Sequence, residues 1–109
     1  MGIKVKKTKL VKVGQGEIGG GRPVVLIAGP CVIESQSHVL DTAEKITWAA
    51  TDADIPFIFK ASYDKANRSS IDSFRGPGLI KGLKSLKKIK QELDIPVLSD
   101  VHTEEEIEP

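Results

Sequence analysis

Asp54-Ile55-Pro56-Phe57-Ile58-Phe59 and, forty positions on, Asp94-Ile95-Pro96-Val97-Leu98 carry the organisation of this chain. In each, a proline opens a short run of apolar residues, and Arg22-Pro23 opens a third such run, Val24-Val25-Leu26-Ile27. Proline is tolerated at the first residue of a strand, where no ladder N–H is needed, and an unbroken apolar run marks a strand buried on both faces. The pattern predicts three buried strands, near residues 24–28, 57–60 and 97–100.

The segments between them carry a helical period. Val39, Ala43, Ile46 and Ala50 recur at helix spacing between the first two strands, with Ser37 as the candidate N-cap. Leu79, Leu83, Leu86, Ile89 and Leu93 form an apolar stripe between the second and third. Lys81, Lys84, Lys87, Lys88 and Lys90 fall mostly on its other faces, a solvated surface, and Pro77 suits the first turn. Trp48 and Phe74 read as packing residues.

Strand-helix-strand-helix-strand implies parallel pairing through right-handed crossovers. Predicted strand starts 33 and 40 positions apart suit either a (β/α)8 barrel or a doubly wound sheet. Residues 1–22 fall outside the repeat and read as a hairpin, while residues 23–109 hold the first three strands and two helices of a single incomplete domain. A barrel needs roughly 250 residues. The chain has 109 and ends where a third helix should begin, so a fragment of a longer protein is expected. An exposed strand edge would then make it prone to aggregation.

Composition narrows the function classes. Lys plus Arg number 16 and Asp plus Glu 15, a net charge of +1, which argues against nucleic acid or an anionic membrane as the defining partner. Hydrophobic residues at 39% and charged residues at 28% fit a globular chain, not a disordered one. No apolar run approaches the roughly 18 residues of a membrane span. The single cysteine, Cys31, rules out an intramolecular disulfide and accords with a reducing compartment.

The early lysines (Lys4, Lys6, Lys7, Lys9, Lys12) are not followed directly by an apolar core, so no secretory signal peptide is expected. Leu26-Ile27-Ala28-Gly29-Pro30-Cys31 has the outline of a lipoprotein cleavage site, but it lies late and Pro30 is wrong for cleavage. Without a leader, the acceptor pattern Asn67-Arg68-Ser69 carries no glycosylation argument.

Gly14-Gln15-Gly16-Glu17-Ile18-Gly19 matches the dinucleotide-binding pattern. That pattern works only where a helix follows and its N-terminus holds the pyrophosphate. Gly20-Gly21-Arg22-Pro23 and another strand follow instead, so the segment reads as a hairpin turn.

Reactive residues cluster just after each predicted strand: Gly29 to Ser35 after the first, Lys60 to Ser70 after the second, Asp100 and His102 after the third. In parallel α/β folds, sites form at the carboxyl ends of the strands. The second cluster is densest, with Lys60, Lys65, Arg68 and Arg75 as cations and Ser62, Asn67, Ser69 and Ser70 as donors. Lysine offers a compact charge and arginine a planar fork that matches phosphate or carboxylate. The cluster therefore reads as an anion site, against the plainer alternative of a basic loop paired with surface acids. Cys31 is either a small buried hydrophobe or one thiolate ligand of a metal that needs three more donors. His102 is open as ligand, base or phosphate donor, and Asp100 as a hydroxyl-orienting acid or a cap for the next helix.

These segments resemble a known family. Ala28-Gly29-Pro30-Cys31-Val32-Ile33-Glu34-Ser35, Phe59-Lys60-Ala61-Ser62-Tyr63-Asp64-Lys65-Ala66-Asn67-Arg68-Ser69-Ser70, Ser73-Phe74-Arg75-Gly76-Pro77-Gly78 and Ser99-Asp100-Val101-His102 are similar, in order, to the 3-deoxy-D-manno-octulosonate 8-phosphate synthases. The related 3-deoxy-heptulosonate 7-phosphate synthases share the first motif but carry a Lys-Pro-Arg-Thr-Ser type segment where this chain has Lys60-Ala61-Ser62.

The resemblance implies a (β/α)8 barrel, a homotetramer and a bacterial cytoplasmic location. It implies condensation of phosphoenolpyruvate with arabinose 5-phosphate for lipopolysaccharide synthesis. It places Lys60 and Lys65 at phosphoenolpyruvate and Ser62, Asn67, Arg68 and Ser69 among the substrate-binding positions. Arg68 would hold the sugar phosphate, Asp100 would lie near the sugar hydroxyls, and His102 near the reacting centre. Cys31 stands where the metal-dependent class has its cysteine, which implies a divalent metal (Zn, Fe or Mn) with its other ligands outside this chain. Two alternatives stay open: the heptulosonate enzyme, and a non-catalytic fragment that binds phosphorylated ligands or a complementary chain.

Overall fold

A computed structural model describes residues 7–65, 70–72 and 74–109. Two short strands, β1 (Val11–Val13) and β2 (Gly16–Ile18), pair antiparallel with Val11 opposite Ile18 and Val13 opposite Gly16. Arg22 reaches back to Glu17 at 3.1 Å. Gly19, Gly20 and Gly21 follow with φ of +84°, +58° and +82°, outside the right-handed helical region, and the next regular element is a strand, Leu26–Ala28. The dinucleotide-binding reading therefore fails on backbone geometry, as the sequence predicted.

β3 (Leu26–Ala28), β4 (Phe57–Lys60) and β5 (Val97–Leu98) form a second sheet in that order, and both pairs are parallel. Helix α1 (Gln36–Asp52) links β3 to β4, and α2 (Leu79–Leu93) links β4 to β5. A one-turn 3₁₀ helix, Glu104–Glu106, follows β5. The described residues thus form a small α/β unit with two sheets and two α-helices.

The repeated Asp-Ile-Pro does more than open strands. Asp54 and Asp94 both lie in the left-handed region, with φ of +55° and +52°. Asp94 caps α2 in that conformation. After α1, the Asp54 N–H donates to the Thr51 carbonyl at 3.0 Å and the Ile55 N–H to the Ala50 carbonyl at 2.9 Å. That pair of bonds is the Schellman termination, with aspartate where glycine is usual. Aspartate reaches this region at lower cost than most side chains. Each repeat therefore stops a helix, turns the chain and enters a strand.

One face of the parallel sheet carries the core. Phe59, Ala61, Ile33, Val39, Ala43, Leu86 and Ile89 are buried together, with Phe57, Leu83, Leu93 and Val97 packed against them. Alternation along β4 and β5 sends Ile58, Lys60 and Leu98 to the other face. The register sets Ile27 beside Ile58 and Leu98 beside Lys60. Ile27 is 50% exposed and Leu98 41%. Burial on both faces, expected from the apolar runs, is met at Ile58 of the central strand, which is 7% exposed, and not at Ile27 or Leu98 on the strands beside it.

Other local expectations shift. β3 and β5 are shorter than predicted, because ladders end where the neighbouring strand ends; Val24 and Val25 precede the paired segment, and Ser99 and Asp100 run past the last residue of β4. The N-cap of α1 is Ser35, whose hydroxyl accepts the His38 N–H at 3.1 Å, and not Ser37. Pro77 lies before α2, whose cap is Gly78. Trp48 and Phe74 are 65% and 54% exposed, so neither is a core residue.

The hairpin sits at the amino ends of the strands: a Cβ on Gly14 would lie 3.7 Å from Pro96. A cavity of about 530 Å³ opens there, lined among others by Val13, Ile18, Ile55 and Pro96. That is the end of the sheet opposite to Cys31, Lys60 and Asp100.

Candidate active site

Because β3, β4 and β5 are parallel and adjacent, the residues that follow them emerge at one end of one sheet. Cys31 follows β3, Lys60 ends β4 and Asp100 follows β5. The first two loops are tied together. A bridge joins Val32 to Ser62, and the Ile33 N–H donates to the Ser62 carbonyl at 2.9 Å. Gly29 makes this approach possible, since a Cβ there would collide with the Lys60 carbonyl oxygen. The Ala61 N–H donates to the Leu98 carbonyl at 3.2 Å, which ties the second loop to the third.

Lys60 is exposed on the helix-free face. Ser62 is buried, and its hydroxyl donates to the Asp64 carbonyl at 2.8 Å while accepting the Asp64 N–H at 3.2 Å. Lys65 is half-buried, and its N–H donates to the Arg75 carbonyl at 2.6 Å. Asn67, Arg68 and Ser69 lie outside the described residues.

Arg75, one of the cations of this segment, is held by an acid. Its Nε donates to Asp64 Oδ1 at 2.7 Å and a terminal nitrogen to Oδ2 at 3.2 Å. The fork closes the base of the loop, and the bond to Asp64 holds the guanidinium pKa above its usual range. For this one residue, the plainer reading of a basic group paired with a surface acid holds.

At the third loop, His102 Nε2 lies 3.5 Å from Asp100 Oδ2, and both residues are exposed. Sequence reasoning missed what stands behind them. Tyr63 is buried, 1% exposed, and its hydroxyl donates to Glu106 Oε2 at 2.6 Å. The same oxygen accepts the His102 N–H at 3.0 Å. Burial and then the Glu106 carboxylate push the Tyr63 phenol up to about 12, and the two donors hold the Glu106 carboxyl below its usual range. The four-residue spacing of His102 and Glu106 was the available signal; the long-range partner, Tyr63, gave none.

Cys31 is an exposed free thiol. A thiolate is a good ligand for Zn or Fe, but a closed site needs about four donors. Among the described residues no group of three His, Cys, Asp or Glu side chains converges, so these residues do not by themselves fit a divalent metal.

What the arrangement offers chemically is a cation on an open sheet face, a thiol on one side of it, and an acid–imidazole pair on the other. No helix among the described residues is long and apolar enough to cross a membrane.

Comparison with known proteins points the same way. The family model described as DAHP synthetase I family matches residues 3–109. The chain is 56% identical over 101 residues to the 2-dehydro-3-deoxyphosphooctonate aldolase of Geotalea daltonii, covering 93% of this chain and 37% of that protein. It is 51% identical over 102 residues to the protein of that name from Geobacter metallireducens, covering 94% and 38%. The same name and shares apply to the Geobacter sulfurreducens protein, at 50% identity over 102 residues. The chain thus spans about 37% of the length of the curated relatives it matches. With Gly29 to Ser35, Lys60 to Ser70 and Asp100 to His102 all inside the matched range, the chain belongs to the DAHP synthetase I family.

Proposed function

We propose that this chain supplies the first three strands of a (β/α)8 barrel that acts as a 3-deoxy-D-manno-octulosonate 8-phosphate synthase, the enzyme also named 2-dehydro-3-deoxyphosphooctonate aldolase. The observation that carries the reading is that the segments similar to that enzyme's motifs follow β3, β4 and β5 at one end of one parallel sheet. The helix-free face bearing Ile27, Ile58, Lys60 and Leu98 then becomes the barrel interior.

In the proposed reaction, the enol carbon of phosphoenolpyruvate attacks the aldehyde carbon of arabinose 5-phosphate. One carbon–carbon bond forms, and the aldehyde oxygen takes up a proton. Water adds at the carbon bearing the phosphate, and that phosphate departs as inorganic phosphate, leaving a 2-keto acid. Lys60 and Lys65 neutralise the carboxylate and phosphate of phosphoenolpyruvate. Ser62, Asn67, Arg68 and Ser69 bind the substrates, with Arg68 on the sugar phosphate. Asp100 orients the sugar hydroxyls, and His102 stands close to the reacting carbons. Preorganised donors there stabilise the charge that develops on the oxygens. Cys31 supplies one ligand to a divalent metal whose other donors come from the length of the relatives that this chain does not span. The whole protein is proposed as a cytoplasmic homotetramer serving lipopolysaccharide synthesis.

The test is steady-state kinetics on a protein of the relatives' full length. Arabinose 5-phosphate should be turned over and erythrose 4-phosphate should not; the reverse preference assigns the heptulosonate reaction instead. Lys60→Ala should lower turnover by about a hundredfold or more, on the scale of losing one transition-state donor. Arg68→Ala with unchanged affinity for the sugar phosphate would remove that assignment. Full activity after thorough chelation would reject the metal.

A further inference from the structure

We infer that Tyr63 and Glu106 are positioning residues: they clamp the loop after β5 so that His102 and Asp100 are held at the carboxyl end of the sheet. The inference rests on the site proposed above for its purpose, but not for its test.

The geometry is that of a clamp. Tyr63 belongs to the loop after β4 and is almost wholly buried. Its backbone is fixed independently, since the Gly78 N–H donates to its carbonyl at 3.1 Å and α2 packs on it at Gly82, where a Cβ would run into the Tyr63 side chain. From this anchored base the hydroxyl reaches Glu106, 43 positions away, at 2.6 Å. Glu106 Oε2 then takes a second donor, the His102 N–H, at 3.0 Å. The Tyr63 ring meets the His102 imidazole edge to face, with centroids 5.7 Å apart and planes at 87°.

His102 is therefore held at its backbone by Glu106 and at its ring by Tyr63. Its Nε2 points the remaining way, to Asp100 at 3.5 Å. The 3₁₀ turn completes the unit, with the Glu106 N–H donating to the Thr103 carbonyl at 3.2 Å. The anchored Tyr63 hydroxyl fixes where Glu106 Oε2 lies, so losing it frees the carboxylate to leave the His102 N–H.

NMR on this chain tests the clamp without any substrate. It has two histidines, and His38 on α1 serves as the control. In the parent chain the His102 amide should be protected from exchange, and its imidazole Cε1 proton should be displaced by the Tyr63 ring current. Glu106→Ala should speed His102 amide exchange at least tenfold and move the imidazole proton most of the way to its urea-unfolded position. Tyr63→Phe should move both in the same direction. Glu106→Gln, which keeps an acceptor oxygen, should stay near the parent, and the His38 signals should stay put throughout. Parent-like His102 signals in Tyr63→Phe and Glu106→Ala, with His38 unchanged, overturn the inference. If Glu106→Ala unfolds the chain, as loss of His38 dispersion would reveal, Tyr63→Phe alone decides by the same criterion.

Discussion

Gly29 lies so close to Lys60 across the end of the β3–β4 pair that any side chain at position 29 would strike the Lys60 carbonyl oxygen. The residue that ends β4 in a candidate substrate-binding cation is thus placed by the absence of an atom on the neighbouring strand's loop.

Gly29→Ala should consequently destabilise the chain by about 3 kcal/mol or more, at or beyond the top of the usual range for overpacking. The obstacle is backbone, which cannot rotate away as a side-chain tip could. Gly16→Ala is the control. Its nearest neighbour would be the Val13 carbonyl oxygen at 3.7 Å, an ordinary contact, and it should change stability by no more than about 0.5 kcal/mol. Urea midpoints of the two variants measure the contrast; equal midpoints would mean that β3 and β4 do not approach as described.

The Tyr63–Glu106 pair gives stability a defined pH dependence. Tyr63 carries a raised pKa, so its contribution is fully present below pH 10 and is lost as pH rises through about 12. Glu106 carries a lowered one, so its contribution is present above the ordinary carboxylate range and is lost as pH falls through the depressed folded value. Differences in urea midpoint between parent and variant isolate each limb from the other carboxylates. Tyr63→Phe should remove the alkaline limb and Glu106→Gln the acid one. A difference curve that is flat with pH would sink the assignment.

Trp48 should be a poor reporter and a tolerant position. It is 65% exposed on α1, so its emission should already be red-shifted in the folded chain and change little on unfolding. Trp48→Gln should cost no more than about 0.5 kcal/mol, as for surface sites generally. A blue-shifted folded spectrum would place the indole in the core after all.

How much of this could be read beforehand differs from residue to residue. The parallel order of β3, β4 and β5 was legible because proline and apolar runs are local signals, and the crossover rule does the rest. Trp48 was also legible in principle: five positions beyond Ala43 is about 140° around a helix, away from the Val39–Ala43–Ala50 stripe. The left-handed Asp54 and Asp94 were hidden, since aspartate sits in many conformations and no local sequence signal selects this one. Strand ends were misread because pairing depends on where a neighbour stops. Tyr63 and Glu106 meet across 43 positions, a separation no periodicity encodes. Asn67, Arg68 and Ser69, which the resemblance puts at the sugar phosphate, lie outside the described residues, so the anion end of the site rests on motif alone.

Ser35 closes the same argument at the other loop. It sits four positions after Cys31 in the motif that follows β3, where a sequence reader credits it with chemistry. In the structure its hydroxyl is the N-cap of α1, accepting the His38 N–H at 3.1 Å, with extended backbone at φ −156° and ψ 162°. Ser37, inside the helix, lies 3.3 Å from that hydroxyl and makes no cap of its own. Ser35→Ala should therefore cost about 1 kcal/mol, the usual value of a lost cap, and Ser35→Asp should recover most of it. Ser37→Ala should cost no more than about 0.5 kcal/mol, since alanine is at least as good a helix former. Thermal melts of the three variants separate the positions, and a Ser37→Ala that matched or exceeded Ser35→Ala in cost would move the start of α1 two residues along the chain.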